Sequence, residues 1–180
     1  MAEHIRYAWG HSSLGSFLAA ASDHGLVAFE FAERGTSVID ALRLRCPAAT
    51  VDEDGACLSD TLARLAAVVE RPGDDPDLVL DPRGSEHERR VWETLRQIPT
   101  GQTTTYGEIA ARLGTPREAR EVAAACAANA LAILIPCHRV VKKGGALSGY
   151  RWGVRRKRAL LAREQTAAAS DGVRCMAATP

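Results

Sequence analysis

The signals around Gly114-Thr115-Pro116 constrain the fold of this chain more than any other feature. Thr105 is a good N-cap for a helix over residues 106–113, Gly114 ends it, and Thr115 followed by Pro116 has the pattern of a second helix start. That second helix is expected to run to about Ala128, with Val122 and the alanine-rich turns facing the core. Two short helices joined by a glycine-containing turn read as a helix-turn-helix. Upstream, Ser85 caps a helix through Arg96, with Glu88 at the capping-box position and Val91, Trp92 and Leu95 on its apolar side. A last helix is expected from about Val154 to Glu164, with 166–180 as a disordered tail.

The N-terminal part reads differently. Residues 5–9, 16–21 and 26–32 run or alternate apolar, and Asp23-His24-Gly25 is a turn signal, so a β-hairpin or meander is expected. Residues 38–44 and 58–69 carry helical spacing. Asp74-Asp75-Pro76 breaks the chain, 78–80 has the composition of a short strand, and 71–84 reads as a linker. The expected division is a small α/β domain over 1–82, a mostly helical domain over 83–165, and the tail.

The chemistry points to Ile135-Pro136-Cys137-His138-Arg139-Val140. A thiol is a good nucleophile only as thiolate, and a neighbouring base and nearby cations favour that form. His138 and Arg139 follow Cys137 directly, with Lys142 and Lys143 close behind. Neighbouring residues on a strand point to opposite faces, so direct Cys–His cooperation requires a turn or a bridging water, and Pro136 favours a break there. A cysteine in an apolar run is ordinarily an inert core residue. Cys126, inside the alanine-rich segment 122–128, fits that description. Cys137 does not, because basic residues crowd it.

The hexapeptide resembles the active-site motif of the O6-alkylguanine-DNA alkyltransferases, and the similarity continues on both sides. Val91-Trp92, Ile98-Pro99-Thr100-Gly101, Thr105-Tyr106, Arg120 and Asn129 precede it. Gly149-Tyr150, Gly153, Lys157, Leu160-Leu161 and Glu164 follow, in the family's order and spacing over about residues 84–164. The segments 125–129 and 148–154 are especially similar to bacterial members that form the C-terminal half of a longer regulator.

The resemblance implies an α+β fold, with a small ribonuclease-H-like α/β domain followed by a mostly helical, winged helix-turn-helix-like domain. It implies one-turnover transfer of an alkyl group from O6 of guanine, and possible acceptance of O4-alkylthymine, with no cofactor and no metal. Cys137 becomes the acceptor and His138 the base, acting through a water. Glu164 orients the imidazole, and Asn129 ties the helix-turn-helix to the active-site segment. Tyr106 helps extrude the nucleotide and gives its phenolic proton to the base. Arg120 fills the vacated stack. Pro116, Arg117, Ala119, Arg139, Val140, Ser148, Gly149, Tyr150 and Arg151 complete the substrate- and DNA-binding set. The implied partner is double-stranded DNA with O6-alkylguanine, bound through the minor groove, and the protein is expected to be a cytoplasmic monomer. If the 180 residues are complete, repair without transcriptional control is expected. Taken singly, Tyr106 and Asn129 suit packing and capping equally well, and Glu164 and Arg120 suit solvated surface charge.

Charge agrees with a polyanionic partner. Residues 1–100 hold 10 basic against 17 acidic side chains, whereas 101–164 hold 12 against 4. Five cysteines, an odd number without a CxxC pair, suit a reduced compartment, and no His/Cys cluster has zinc spacing. Some positions depart from the family pattern. Glu118 and Glu121 replace small residues on the recognition helix, His87-Glu88 replaces Phe-Gln, and Arg155, Arg156 and Arg158 make the last helix unusually basic. The two glutamates leave open the same thiol chemistry on single-stranded or non-duplex substrates. A lesion-binding sensor is a further alternative.

Overall fold

The computed structural model describes residues 3–176, with side chains through residue 169. It is a mixed α/β fold. Strands β1 (Glu3–Ser12), β2 (Gly15–Ser22) and β3 (Gly25–Phe31) form the expected antiparallel meander. Residues 17–20 of β2 are all buried, so this central strand reads as an apolar run rather than an alternation. Phe17, Ala19, Phe29 and Phe31 face one core, where Phe17 and Phe29 meet edge to face at 5.1 Å. Ile5, Leu18, Ala20 and Leu42 face a second core beneath α1 (Thr36–Arg45).

A fourth strand, β4 (Ala49–Glu53), pairs parallel to β1 and gives the order β3-β2-β1-β4. The sequence reading missed it, because this edge strand is short and mostly exposed and only Ala49 and Val51 turn an apolar side chain to the core. Residues 78–80 do not form the expected strand. Leu80 makes one isolated bridge to Leu26, while Val79 is 73% exposed and has no apolar face to join.

On the first face of the sheet α2 (Ser59–Glu70) covers the phenylalanine core, and the second half of the chain joins that core through α3 (Glu86–Arg96). Ser85 and Glu88 close the expected capping box on α3. Trp92 Nε1 donates to the Ala125 carbonyl at 2.8 Å, which locks α3 against α5 (Ala119–Ala128). Helix α4 (Tyr106–Arg112) starts at Thr105, through a capping box with Glu108, and ends at Gly114 with φ +80. Thr115 is not the cap of the next helix. Residues 115–118 form a turn in which Glu118 N donates to the Thr115 carbonyl, and Glu118 becomes the N-cap of α5.

Helix α6 runs Val154–Met176, past the expected end near Glu164, and residues 177–180 lie outside the described residues. Among the described residues no helix is long and apolar enough to cross a membrane.

Two small pairings place the chemistry. β5 (Thr104–Thr105) and β6 (Val140–Val141) pair in parallel, which sets the start of α4 beside the end of the hexapeptide. Phe29 of β3 pairs with 130–132, Phe29 N donating to the Ala130 carbonyl at 2.7 Å and Ala132 N to the Phe29 carbonyl at 2.8 Å. The first sheet is thereby hydrogen-bonded to the segment that leads, through a turn at 132–134, into Cys137. Ile133, in that turn, has φ +67, a conformation that a β-branched residue holds only where its surroundings enforce it.

Candidate active site and nucleic-acid face

Pro136 breaks the apolar run, and Cys137–Arg139 form a single 3-10 turn. The expected break therefore exists, and it sends three adjacent side chains in different directions. Cys137 faces a cleft of about 280 Å³ that is also lined by Tyr106, Cys126, Gly149, Tyr150 and Arg151. Its side chain is nearly enclosed, at 5% exposure. Asn129 ends α5 and is fully buried. Its amide nitrogen donates to the Ile135 carbonyl at 2.9 Å and to Cys137 Sγ at 3.3 Å, while its Oδ1 accepts from Leu131 N at 2.8 Å. One side chain thus joins the end of α5 to the cysteine.

Burial pushes the Cys137 thiol up to about 11, against the Asn129 hydrogen bond and the positive Lys157 and Arg151. The resting thiol therefore carries its proton, and a base must remove it. His138 points to the other side, fully buried, with Nε2 bonded to Glu164 Oε1 at 2.8 Å. Burial lowers its pKa despite Glu164, so the imidazole is neutral at neutral pH. Its Nδ1 is buried and has no hydrogen-bond partner among the described residues. A neutral imidazole with a free nitrogen is chemically fit to take a proton.

Glu164, fully buried on α6, also accepts from Arg139 Nη2 at 2.8 Å and from Gly101 N at 3.1 Å. Burial would raise its carboxyl, but the bonds from His138 and Arg139 outweigh this and hold it below the usual range. Gly101 has φ +77, and a Cβ there would lie 3.1 Å from the Ala168 Cβ, so this close donor requires glycine.

The expected DNA-binding set divides. Pro116, Arg117, Arg120 and Gly149 are exposed, Ala119 is half-buried, and all but Gly149 sit at the entry to α5 or on its first turn. Tyr106 and Tyr150 are half-buried at the cleft, and the buried Tyr150 hydroxyl has no partner among the described residues. Burial raises the Tyr106 hydroxyl, which keeps its proton and donates to Ser148 Oγ at 2.9 Å. Arg139 does not belong to the DNA-facing set. It is 7% exposed, and its guanidinium is spent on Glu164 and on the Ile98 and Pro72 carbonyls. Val140 is also interior, and its carbonyl accepts from Ser148 Oγ at 2.9 Å.

Lys157 had no assigned role in the sequence reading. It is fully buried on α6, and its Nζ donates to the Val140 carbonyl at 2.5 Å and Ser148 Oγ at 2.6 Å. The surrounding 154–158 run, with four basic residues, hid it among solvated charges. Burial lowers its pKa. It is the cation behind the cleft that links Tyr106, through Ser148, to β6.

Comparison with known proteins agrees with this geometry. The model of the 6-O-methylguanine DNA methyltransferase DNA-binding domain matches residues 86–166. The Escherichia coli bifunctional transcriptional activator/DNA repair enzyme Ada is 41% identical over 160 residues, 89% of this chain and 45% of Ada. A Mycobacterium tuberculosis methylated-DNA–protein-cysteine methyltransferase is 48% identical over 95 residues, 53% of this chain and 58% of the relative. The chain thus spans about half the length of the curated relatives it matches. The crystal structure of M. tuberculosis OGT in complex with DNA superposes with a TM-score of 0.74 at 33% identity, covering 89% of this chain and 93% of that one. The chain belongs to the O6-methylguanine-DNA methyltransferase family.

Proposed function

We propose that this chain repairs DNA directly, by moving an alkyl group from O6 of guanine to Cys137 Sγ. The observation that carries this reading is a buried Cys137 at a cleft of about 280 Å³, held by Asn129 and followed by a neutral His138 whose free nitrogen is backed by Glu164. The S–C bond forms as the C–O6 bond breaks. The thiol proton passes through a water to His138 Nδ1, Tyr106 supplies a proton to the departing guanine, and the imidazolium proton returns through solvent to the tyrosinate, so the net change is one proton moved from sulfur to guanine. A thioether has no easy hydrolytic exit, and the protein turns over once.

Residues 83–165 act as a winged helix-turn-helix that enters the minor groove, with Arg120 in the vacated stack and Arg117 near the backbone. Residues 1–82 form the ribonuclease-H-like domain. Intact-protein and peptide mass spectrometry tests the reading, after mixing with duplex DNA bearing one O6-methylguanine and with the same strand alone. One methyl on the Cys137 peptide, in stoichiometric amount from the duplex, is expected. Binding of the lesion without methyl gain would replace repair with sensing, and reaction of the single strand alone would move the substrate.

Glu118 and Glu121 bear on that last outcome. Glu118 caps α5 and Glu121 lies in its first turn, on either side of the exposed Arg120. Neither carboxylate has an ion pair or side-chain hydrogen bond among the described residues, so Arg112, Arg117 and Arg120 do not neutralise them. Two free anions at the groove-entering end oppose phosphate. Replacing both by alanine is expected to tighten duplex binding about tenfold at low salt, with the gain shrinking as salt rises. Fluorescence anisotropy across a salt series measures this, and unchanged affinity at low salt would sink it.

A further inference from the structure

Glu30 is a buried carboxylate at the penultimate position of β3, at 3% exposure, flanked by Phe29 and Phe31. An apolar strand does not bury a charge without partners. The two partners come from different parts of the fold. Arg45, at the end of α1, approaches Glu30 Oε1 at 3.0 Å. Arg151, in the loop that walls the cleft, donates to Oε2 at 2.7 Å. The other arm of the Arg151 guanidinium donates to the Ala127 carbonyl at 3.0 Å, near the end of α5, and its carbon lies 5.7 Å from the centre of the Trp152 ring. Arg151 is thus a fork between the first sheet and the helix that carries Arg120.

Two neighbours show what the fork holds. Tyr150 precedes Arg151 and stands at the cleft, its ring edge-on to His138 at 6.5 Å and to Trp152 at 5.2 Å. Glycines at 149 and 153 bracket this stretch; Gly153, with φ +96, donates its N to the Tyr150 carbonyl at 2.9 Å and closes a turn, from which the Arg151 side chain reaches back to the first sheet.

We infer that Glu30 is a positioning residue for the base-binding cleft: it anchors Arg151, and through Arg151 it holds the Tyr150 wall against the end of α5. The inference rests on the alkyl-transfer reading above and assigns the first sheet a part in capturing the base. Glu30 makes no hydrogen bond to the sulfur, His138 or Glu164, and its loss leaves the Arg151 charge near Cys137 in place. Losing Glu30 therefore weakens capture more than it slows the transfer step.

The test uses the whole chain and a small free base, O6-benzylguanine, which has no phosphates for Arg151 to meet. Alkylation rate is followed against base concentration, with a melting curve for each variant. Glu30→Gln keeps the shape and removes the charge. It is expected to raise the half-saturating concentration on the order of tenfold, with the limiting rate within about twofold of the parent. Glu30→Asp restores part of the difference. Arg45→Gln meets the same carboxylate from the far side and is expected to lower the melting temperature without moving half-saturation. Should Glu30→Gln fail to fold, Arg151→Lys reads the same link, because a lysine cannot span Glu30 and the Ala127 carbonyl as a planar fork does. Unchanged half-saturation in folded Glu30→Gln overturns the inference, as does an equal shift in Arg45→Gln. A parent chain inert toward both the free base and the methylated duplex overturns the alkyl-transfer reading instead.

Discussion

Cys137→Ala is expected to abolish alkyl transfer while the variant still folds and still binds duplex DNA carrying O6-methylguanine. The substitution removes only the sulfur from a nearly enclosed site. Asn129 keeps its bonds to the Ile135 carbonyl and Leu131 N, so the junction between α5 and the hexapeptide survives. The stability cost is about 1 kcal/mol, the scale of one small deleted group in a core. Cys126 is the demanding part of this prediction, because it lines the same cleft. Burial raises its thiol well above the ordinary range, with only Lys157 pulling the other way. It has no counterpart of the Asn129 amide among its hydrogen bonds. Mass spectrometry of the variant after incubation with methylated duplex should show no methyl on any peptide, and anisotropy should show binding within a few-fold of the parent. Methyl appearing on Cys126 would mean that proximity to the cleft, and not the His138–Glu164 arrangement, decides the acceptor.

Features written into a few adjacent residues were legible before the structure, and those that depend on distant partners were not. Ser85 with Glu88, and Gly114, are local devices, and each ended or began a helix where expected. Pro116 misled because proline suits a turn as well as a first helical turn, and here residues 115–118 close on themselves before α5 begins. β4 exists because β1 has a free edge, and nothing within residues 49–53 announces that edge. Helix α6 continues through Ala167, Ala168 and Ala169, strong helix formers that need no amphipathic stripe.

The site divides in the same way. Cys137, His138, Asn129 and Glu164 were readable as a set only through the family resemblance, and the fold brings them together. Arg139 and Lys157 looked like surface cations by composition, yet both are buried. Their partners, Glu164 for one and the Val140 carbonyl with Ser148 for the other, lie 25 and 9 to 17 residues away. Glu30 was invisible for the same reason, its partners being a helix end and a loop 121 residues further on.

Glu164→Gln is expected to damage both stability and reaction, and pH separates the two effects. The carboxylate accepts from His138, from Arg139 and from Gly101 N, with no water-facing surface. An amide of the same shape must turn one NH₂ toward donors: toward Gly101 N and Arg139 Nε in one orientation, toward His138 and Arg139 Nη2 in the other. The buried guanidinium also loses its anion. Breaking such a pair costs about 3–5 kcal/mol, a large part of the 5–15 kcal/mol that holds a typical domain, and lowers the melting temperature by about 10 °C. The imidazolium formed as sulfur attacks loses its counter-charge, and the methyl-transfer rate is expected to fall on the order of 10³-fold.

The sign of the pH effect follows from the two shifts. His138 is held neutral by burial below its ordinary value of 6.5, so on acidification the unfolded chain takes up a proton there before the folded one, and stability declines from about pH 6.5 downward. Glu164 is held below its ordinary value of 4.5, so its contribution is complete above that pH and is lost as pH falls through the lower folded value. Urea unfolding of the parent between pH 8 and pH 3.5 should therefore show one loss beginning near 6.5 and a further loss below about 4.5. Glu164→Gln should start lower, keep the His138 limb, and show a smaller second loss, the remainder belonging to Asp81, Glu70 and Glu108, whose carboxyls are also held low. A variant that retained the full loss below 4.5, or one as reactive as the parent at neutral pH, would remove Glu164 from the centre of the site.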